Sequence, residues 1–230
     1  MLRIPKHGRA TAVITQHYGL LFAVTMNSPI HLYNQNQYSR EELIGDIAER
    51  VDPVDLTTII GAYEMASSVH EFQVRNDSTP YFWHISRVAR IVIRELEYFN
   101  GDVIAASLLH DVLEDSDIIT AEVIKYNFNA YISYIVEVLT KNIHLLGVQR
   151  EQSDQEYIER LRFASVDCKI VKFAERLDNY RCLEFGVKRN PFQYIEETER
   201  DYYPMADGEN HPLLDRIIEE MDRIKRKLYS

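Results

Sequence analysis

Apolar residues recur at helical spacing along most of the chain after residue 38. From Pro53 to about Gln73 they return every three or four positions, which predicts an amphipathic helix. Asp52 directly before Pro53 supports this start, because aspartate caps free backbone N–H groups and proline fits the first helical turn. The same spacing predicts further helices over 85–99, 103–109, 120–126, 129–141, 154–166, 168–185 and 211–228. We therefore expect an all-α helical bundle.

The first part of the chain has a different pattern. Two short runs rich in β-branched and aromatic residues, 12–15 and 20–25, are separated by a break that contains glycine. This arrangement predicts a small β-hairpin. A polar loop follows, and Ser39 with Glu42 then has the Ser-x-x-Glu spacing of a helix capping box.

These patterns divide the chain into three parts. We predict an N-terminal extension at 1–50, one helical domain at 51–190 and a C-terminal helical extension at 191–230. Asp102, which follows an Asn-Gly stop, is expected to cap the helix that begins at Val103.

Composition narrows the class of partner. The 230 residues are 46% hydrophobic and 27% charged, which is typical of a globular protein. The net charge of −10 repels polyanions, so we expect no extended nucleic acid partner. Cys168 and Cys182 suit a reduced, cytoplasmic compartment, and no apolar stretch is long enough to span a membrane. A small anionic substrate can still bind despite this net charge, because a metal ion or a few local cations can outweigh it within one cleft. Whether the chain forms a homo-oligomer is left open.

Four ionisable residues occur at the end of a helix that is too apolar to face water. They are His110, Asp111, Glu114 and Asp115, within Leu108-Leu109-His110-Asp111-Val112-Leu113-Glu114-Asp115. If the helix continues through them, they occupy one arc and point into a common cleft. Burying such groups is costly unless they are paired or bind metal. Adjacent histidine and aspartate side chains suit Mn, Fe, Zn or a similar divalent ion, so the segment predicts a metal centre.

Further ligands must come from other parts of the chain. His84 is our candidate for a second histidine, because it begins a helix directly after Thr79-Pro80-Tyr81-Phe82-Trp83. Glu175 is our candidate for a further carboxylate, on a helix that mixes apolar and ionic positions. Asp178 and Asn179 lie three and four residues further on, near the same face.

At these residues the chain resembles the HD-domain hydrolases. It is most similar to the hydrolase domain of the RelA/SpoT alarmone enzymes and to the stand-alone small alarmone hydrolases. The resemblance spans about 62–185 and has its motifs in the family's order: Thr79-Pro80-Tyr81 with His84, Ala105 to Asp115, Leu139-Thr140-Lys141, and Ile170 to Leu183.

The resemblance implies a helical metal-dependent phosphohydrolase, with Mn²⁺ the typical ion. Such an enzyme removes the 3′-pyrophosphate of guanosine tetra- or pentaphosphate (ppGpp or pppGpp) and leaves GDP or GTP. His84, His110 and Asp111 match metal ligands, Glu114 and Asp115 match the acidic pair beside the attacking water, and Arg75 and Asn179 match nucleotide-contacting positions.

Two positions depart from the family's pattern. Glu175 stands where the family usually has aspartate, and its extra methylene changes the reach of the carboxylate. Asn76, our third substrate-binding candidate, stands where the family favours lysine after the arginine, so one cation is missing. Another nucleotide substrate, or binding without turnover, therefore stays open as an alternative. The 45 residues after Phe185 are too few for a second catalytic domain, the synthetase, so we expect the hydrolase activity alone.

Each candidate also has a purely structural interpretation. His84 could be a hydrogen-bonded core histidine, and His110 with Asp111 could be a buried structural pair. Glu175 could form a surface ion pair with Lys172 or in the neighbourhood of Arg176. Two substrate candidates have simple local roles, since Arg75 could cover its turn and Asn179 could cap backbone groups.

Overall fold

The structure, a computed structural model, describes residues 33–142, 144–183 and 190–230. Within these ranges the chain is helical, and the β-structure consists of one isolated bridge between Val74 and Pro80. The predicted all-α fold is confirmed, whereas the predicted hairpin at 12–25 lies outside the described residues. The α-helices are α1 (Arg40–Ile47), α2 (Pro53–Val69), α3 (Tyr81–Arg90), α4 (Gly101–Leu109), α5 (Val112–Asp115), α6 (Ala121–Asn127), α7 (Ala130–Leu139), α8 (Gly147–Arg162), α9 (Val166–Arg181), α10 (Pro191–Glu197), α11 (Tyr203–Glu209) and α12 (Pro212–Leu228). π-Helical turns follow α3 at Ile91–Glu95 and α10 at Thr198–Tyr202.

Two predicted helix starts are confirmed by their caps. Ser39 and Glu42 form the capping box at the start of α1, with each side chain accepting the other residue's backbone N–H. At the start of α2, Asp52 Oδ1 accepts the backbone N–H groups of Val54 and Asp55 at 2.8 and 2.9 Å. Local side-chain chemistry therefore sets both starts.

The predicted cap of α4 is wrong. The cap is Asn100, whose Oδ1 accepts the N–H of Val103 at 3.2 Å, while Asp102 lies inside the first turn. Gly101, in the first turn, also lets α2 approach closely, because a Cβ atom there would lie 2.3 Å from Cγ of Asp55. Asp102 instead accepts a hydrogen bond from Asn129, the cap of α7, at 2.7 Å.

Several predicted helix ends also move. The helix predicted over 85–99 begins at Tyr81, and its α-helical part ends at Arg90 before the π-helical turn. The helix predicted over 154–166 begins at Gly147 and ends at Arg162. Apolar periodicity identifies helices well, but their ends depend on caps and on contacts with other elements.

Helix α4 lies at the centre of the bundle. All of its residues except Asp102 are buried, and it packs against α2, α3, α7 and α9. An apolar helix of this kind is stabilised by burial on every side, because each buried methylene removed from water contributes about 0.8 kcal/mol. The C-terminal end of α4 therefore delivers His110 into the interior, where the residue is 2% exposed.

The C-terminal helix α12 packs against α9. Its buried face consists of Leu214, Ile217 and Met221, while its remaining positions are mostly charged. Among the described helices, none has both the length and the apolar character that crossing a membrane requires.

We expect Ile104→Ala to lower the free energy of unfolding by about 2 to 5 kcal/mol, because it leaves a cavity in the core that surrounds α4. Ile118→Ala is the matched control, since this side chain is 83% exposed and its truncation should change stability little. Urea denaturation followed by circular dichroism measures both. Equal effects would show that α4 is not the centre of the core.

Candidate metal centre

The chain leaves the helical path at His110 and Asp111. Helix α4 ends at Leu109, the two residues form a turn, and α5 begins at Val112. The backbone N–H groups of Glu114 and Asp115 donate to the carbonyl oxygen of Asp111 at 3.1 and 3.2 Å. The expected single helical arc through residue 115 is therefore wrong, because this turn re-aims the residues that follow it.

Three of the predicted ligands lie together. His84, His110 and Asp111 each offer one ligand atom, and these atoms all lie within 4.8 Å of one another. The two imidazole rings are 5.5 Å apart between centroids and nearly perpendicular, at 76°. Two nitrogens and one carboxylate oxygen form a mixed donor set that suits a divalent transition metal.

The hydrogen bonds of His110 leave one nitrogen for a ligand. Nδ1 lies 2.8 Å from the carbonyl oxygen of Ser107, so it carries a proton and donates it. Nε2 is buried, has no hydrogen-bond partner among the described residues, and lies 3.3 Å from Asp111 Oδ2. A buried polar atom without a partner is costly, and a cation between Nε2 and the carboxylate would satisfy both. The residues present therefore fit a metal.

His84 is oriented by a residue that the sequence analysis did not assign to the site. Its Nδ1 lies 2.7 Å from Asp178 Oδ2, so Nδ1–H donates to the carboxylate and Nε2 remains for a metal. Burial, followed by the charge of Arg75, lowers the pKa of His84 to about 4. The ring is therefore neutral at physiological pH, which is the form that binds metal.

Asp111 has a second partner that sequence spacing did not indicate. The hydroxyl of Tyr81 donates to Asp111 Oδ2 at 2.7 Å.

Burial lowers the pKa of His110, but the nearby Asp111 carboxylate outweighs the effect of burial and raises that pKa to about 9. In the absence of metal, a proton on Nε2 thus stands where a cation would otherwise bind.

The turn separates the two acidic residues of the predicted catalytic pair. Glu114 lines the same cavity as Asp111, and its Oε1 accepts the backbone N–H of Lys141 at 2.5 Å. Burial, and next the charge of Asp111, raise the pKa of Glu114 to about 8. Asp115 instead lies beside the buried His70, with 3.6 Å between Oδ2 and Nδ1.

Glu175 lies in the cavity wall but outside the ligand cluster. Its carboxylate forms an ion pair with Lys172 and accepts a hydrogen bond from Asn179 Nδ2 at 3.0 Å. The pair with Lys172 is the alternative that the sequence left open, although it is buried rather than on the surface. A metal-ligand role for Glu175 would require its carboxylate to leave this lysine.

The candidate site opens into a cavity of about 190 Å³ with a strongly charged wall. Arg75 lines it and donates to Asn179 Oδ1 at 2.8 Å, whereas Asn76 is exposed on the preceding turn and is not part of the wall. A second cavity of about 480 Å³ shares Glu114 and Lys141 with the first. The residues that line the first cavity are Arg75, Tyr81, His84, Asp111, Glu114, Lys141, Lys172, Glu175, Arg176, Asn179, Tyr194 and Glu197.

The family assignment follows from a sequence comparison. The family model described as "HD domain" matches residues 62–208, which cover the helices that carry the site. The chain belongs to the HD-domain family. This confirms the resemblance drawn from the ordered motifs.

Individual relatives support the assignment of this HD domain. The chain is 35% identical over 150 residues to the zebrafish (Danio rerio) guanosine-3′,5′-bis(diphosphate) 3′-pyrophosphohydrolase MESH1, covering 64% of the chain and 79% of MESH1. It is 34% identical over 147 residues to the Aquifex aeolicus enzyme of the same activity name, covering 63% of the chain but only 20% of that longer protein.

A solved structure is also similar to this HD domain. It is described as a metazoan ortholog of SpoT that hydrolyzes ppGpp. The TM-score is 0.63 and the sequence identity 25%, over 74% of this chain and 94% of that one. The comparison thus supports the same helical architecture.

We expect metal binding to release protons in a pH-dependent manner. Below about pH 9 a metal must displace the proton from His110 Nε2, so affinity should rise with pH and then level off. His84 contributes no proton above about pH 5, because its pKa is lowered to about 4. Calorimetry in buffers of different ionisation enthalpy measures the proton count.

Glu114→Gln separates the two residues that can lose a proton. The pKa of Glu114 is raised to about 8, so a nearby cation should release part of its proton at neutral pH as well. The variant should reduce proton release towards about one per metal, leaving the contribution of His110. Proton release that did not change with pH would contradict this assignment.

Proposed function

We propose that the chain is a metal-dependent phosphohydrolase that removes the 3′-pyrophosphate of ppGpp or pppGpp in the cytoplasm and yields GDP or GTP. The observation that carries the proposal is the cluster of His84, His110 and Asp111 at a cavity whose wall also presents cationic side chains. Relatives whose names state this activity support the choice of substrate. We also propose that the catalytic domain spans residues 51–190, with an N-terminal extension at 1–50 and a C-terminal helical extension at 191–230.

His84, His110 and Asp111 would hold the metal, for which we propose Mn²⁺, and Glu175 would join them if it released Lys172. When bound, a divalent ion supplies charge that acidifies water and offsets the negative charge developing on the phosphate. Tyr81 holds the Asp111 carboxylate in place through its hydroxyl. Once the metal has displaced the proton of His110, two neutral imidazoles and one held carboxylate provide a site without thiolate, which favours harder divalent ions.

Glu114 is the proposed acid and base. Its raised pKa of about 8 lies near neutrality, where a carboxyl group can both accept and return a proton. In the reaction, the water oxygen bonds to the phosphorus next to the ribose 3′ oxygen, and the bond between that phosphorus and the 3′ oxygen breaks. Glu114 would take a proton from the attacking water and pass it to the 3′ oxygen, which leaves as the ribose hydroxyl, while the phosphorus that gained the water oxygen leaves with its second phosphate as pyrophosphate. Asp115 would act more indirectly, because it lies beside His70.

The cations and amide of the cavity wall would bind the substrate's phosphates and base. Arg75 and Asn179 are already bonded to each other, which orients both side chains in the wall. Lys141 lines both cavities, and Lys172 lines the first, so they can replace the cation that is missing at Asn76. Asn76 itself would contact substrate only at the cavity's edge, from its exposed turn.

We expect the protein, stripped of metal and resupplied with Mn²⁺, to release pyrophosphate from ppGpp. Asp111→Asn should abolish release, because it removes a ligand charge, and Glu114→Gln should lower kcat by about 10²- to 10⁴-fold. Asp117→Asn, an exposed change two residues beyond Asp115, is the matched control and should retain activity. Ion chromatography of the products measures all four proteins.

The outcomes of this assay separate the alternatives. Phosphate release from another nucleotide, with ppGpp left intact, would keep the metal site and reject the substrate. Tight ppGpp binding without turnover by any divalent metal would instead indicate a binding domain. Activity in Asp111→Asn equal to that of the native protein would reject the proposed centre.

Lys141→Met should raise the KM for ppGpp about 10- to 150-fold, because an ionic hydrogen bond to phosphate is worth about 1.5 to 3 kcal/mol. The backbone N–H that holds Glu114 is unchanged, so kcat should fall much less than in Glu114→Gln. Lys125→Met, an exposed change on α6, is the control for loss of one positive charge. Steady-state kinetics that showed an unchanged KM would remove Lys141 from the substrate site.

A further inference from the structure

Asp178 is a fully buried carboxylate at the centre of a dense set of donors. From the described part of the chain it accepts hydrogen bonds from His84 Nδ1 at 2.7 Å, Arg87 Nε and Nη2 at 2.8 and 3.1 Å, Tyr33 OH at 2.8 Å and Arg75 Nη1 at 3.4 Å. Only one of these donors, His84, belongs to the ligand cluster. The others neutralise the carboxylate and fix its orientation.

Arg87 holds Asp178 as a planar fork. This guanidinium is itself buried, and its remaining nitrogen donates to the backbone carbonyls of Asn34 and Asn36 at 3.1 and 3.2 Å. Both partners of the ion pair are therefore tied to the surrounding structure. Because a bidentate pair of this kind allows little rotation, the carboxylate oxygen that faces His84 has a defined position.

The nearby carboxylates have different uses. Glu175, one helical turn earlier on α9, forms an ion pair with Lys172, and Asp111 is itself a candidate ligand. Asp178 touches the imidazole on the side away from His110 and Asp111, because it takes Nδ1 and leaves Nε2. Its position is that of an outer carboxylate behind a metal-binding histidine.

We infer that Asp178 is the positioning residue of the metal centre: it fixes the tautomer and orientation of His84 so that Nε2 faces the ion, while Arg87 and Arg75 keep the carboxylate charged and in place. The inference rests on the metal site of the proposed function, but it is independent of the substrate. Outer carboxylates of this kind also make the opposite ring nitrogen a stronger donor to metal, and their loss typically weakens metal binding about 10- to 100-fold.

A purely structural role would have a different signature. Removing the carboxylate leaves two guanidinium groups beside each other in the interior, which destabilises the fold whatever the residue does for His84. The test must therefore separate folding from metal affinity. The double variant Arg87→Gln/Asp178→Leu removes one positive and one negative charge together, which restores the charge balance of the cluster without restoring the acceptor for His84.

The experiment measures Mn²⁺ binding by isothermal titration calorimetry on the full chain after chelator treatment, with thermal denaturation in parallel. Asp178→Leu, which leaves no acceptor for His84, should weaken Mn²⁺ binding about 10- to 100-fold and lower the melting temperature. The double variant should recover much of the melting temperature but not the affinity. Asp167→Leu is the matched control: this buried carboxylate lies on the same helix but accepts from Tyr98 and Tyr131. It should bind Mn²⁺ like the native protein.

Native-like affinity in the double variant would overturn the inference, because the acceptor for His84 would then be dispensable. Absence of Mn²⁺ binding by the native chain would overturn the Mn²⁺ assignment and the inference together. If Mn²⁺ binds and depends on Asp178, but ppGpp is not cleaved, the proposed substrate fails while the positioning role stands.

Discussion

The buried charge of Asp178 joins three parts of the chain that are distant in sequence. It lies on α9, accepts from Arg87 and His84 on α3, and accepts from Tyr33 in the segment before α1. A carboxylate in the interior is stable only where cations and donors surround it, so these elements must meet in one arrangement. The position of His84, and with it the separation of the ligand atoms, follows from that requirement.

The two histidines of the candidate site have opposite pKa shifts. Burial, followed by Arg75, lowers the pKa of His84, while Asp111 overcomes burial and raises that of His110. At Glu114, burial and the neighbouring Asp111 carboxylate favour the protonated form of the side chain and so raise its pKa. The site between α3 and the end of α4 thus combines a neutral histidine, a proton that a metal can displace, and a carboxyl group that titrates near neutrality. Such divergence is typical of functional sites.

The sequence predicted the parts of this arrangement that depend on local pattern. Periodicity identified the helices, Ser39 and Asp52 identified two of their starts, and the His-Asp pair with His84 identified the ligand cluster. What it missed depends on contacts between distant elements. Asp178 reaches His84 across 94 positions and Tyr81 reaches Asp111 across 30, and neither spacing has a sequence signature. The cap at Asn100 is an exception, because its contact with the N–H of Val103 is local and was missed only because Asn100-Gly101 was interpreted as a helix stop.

Lys141 connects the two halves of the proposed reaction. Its backbone N–H binds the Glu114 carboxylate, while its side chain lines both cavities and lies 3.4 Å from the Tyr202 hydroxyl. The backbone contact favours the charged form of Glu114 and so opposes the effect of burial on its pKa. A phosphate that drew the ammonium group towards it would act on the peptide that holds Glu114. In the proposed reaction, substrate binding and proton transfer would therefore be linked through one residue, because the loop after α7 supplies both contacts.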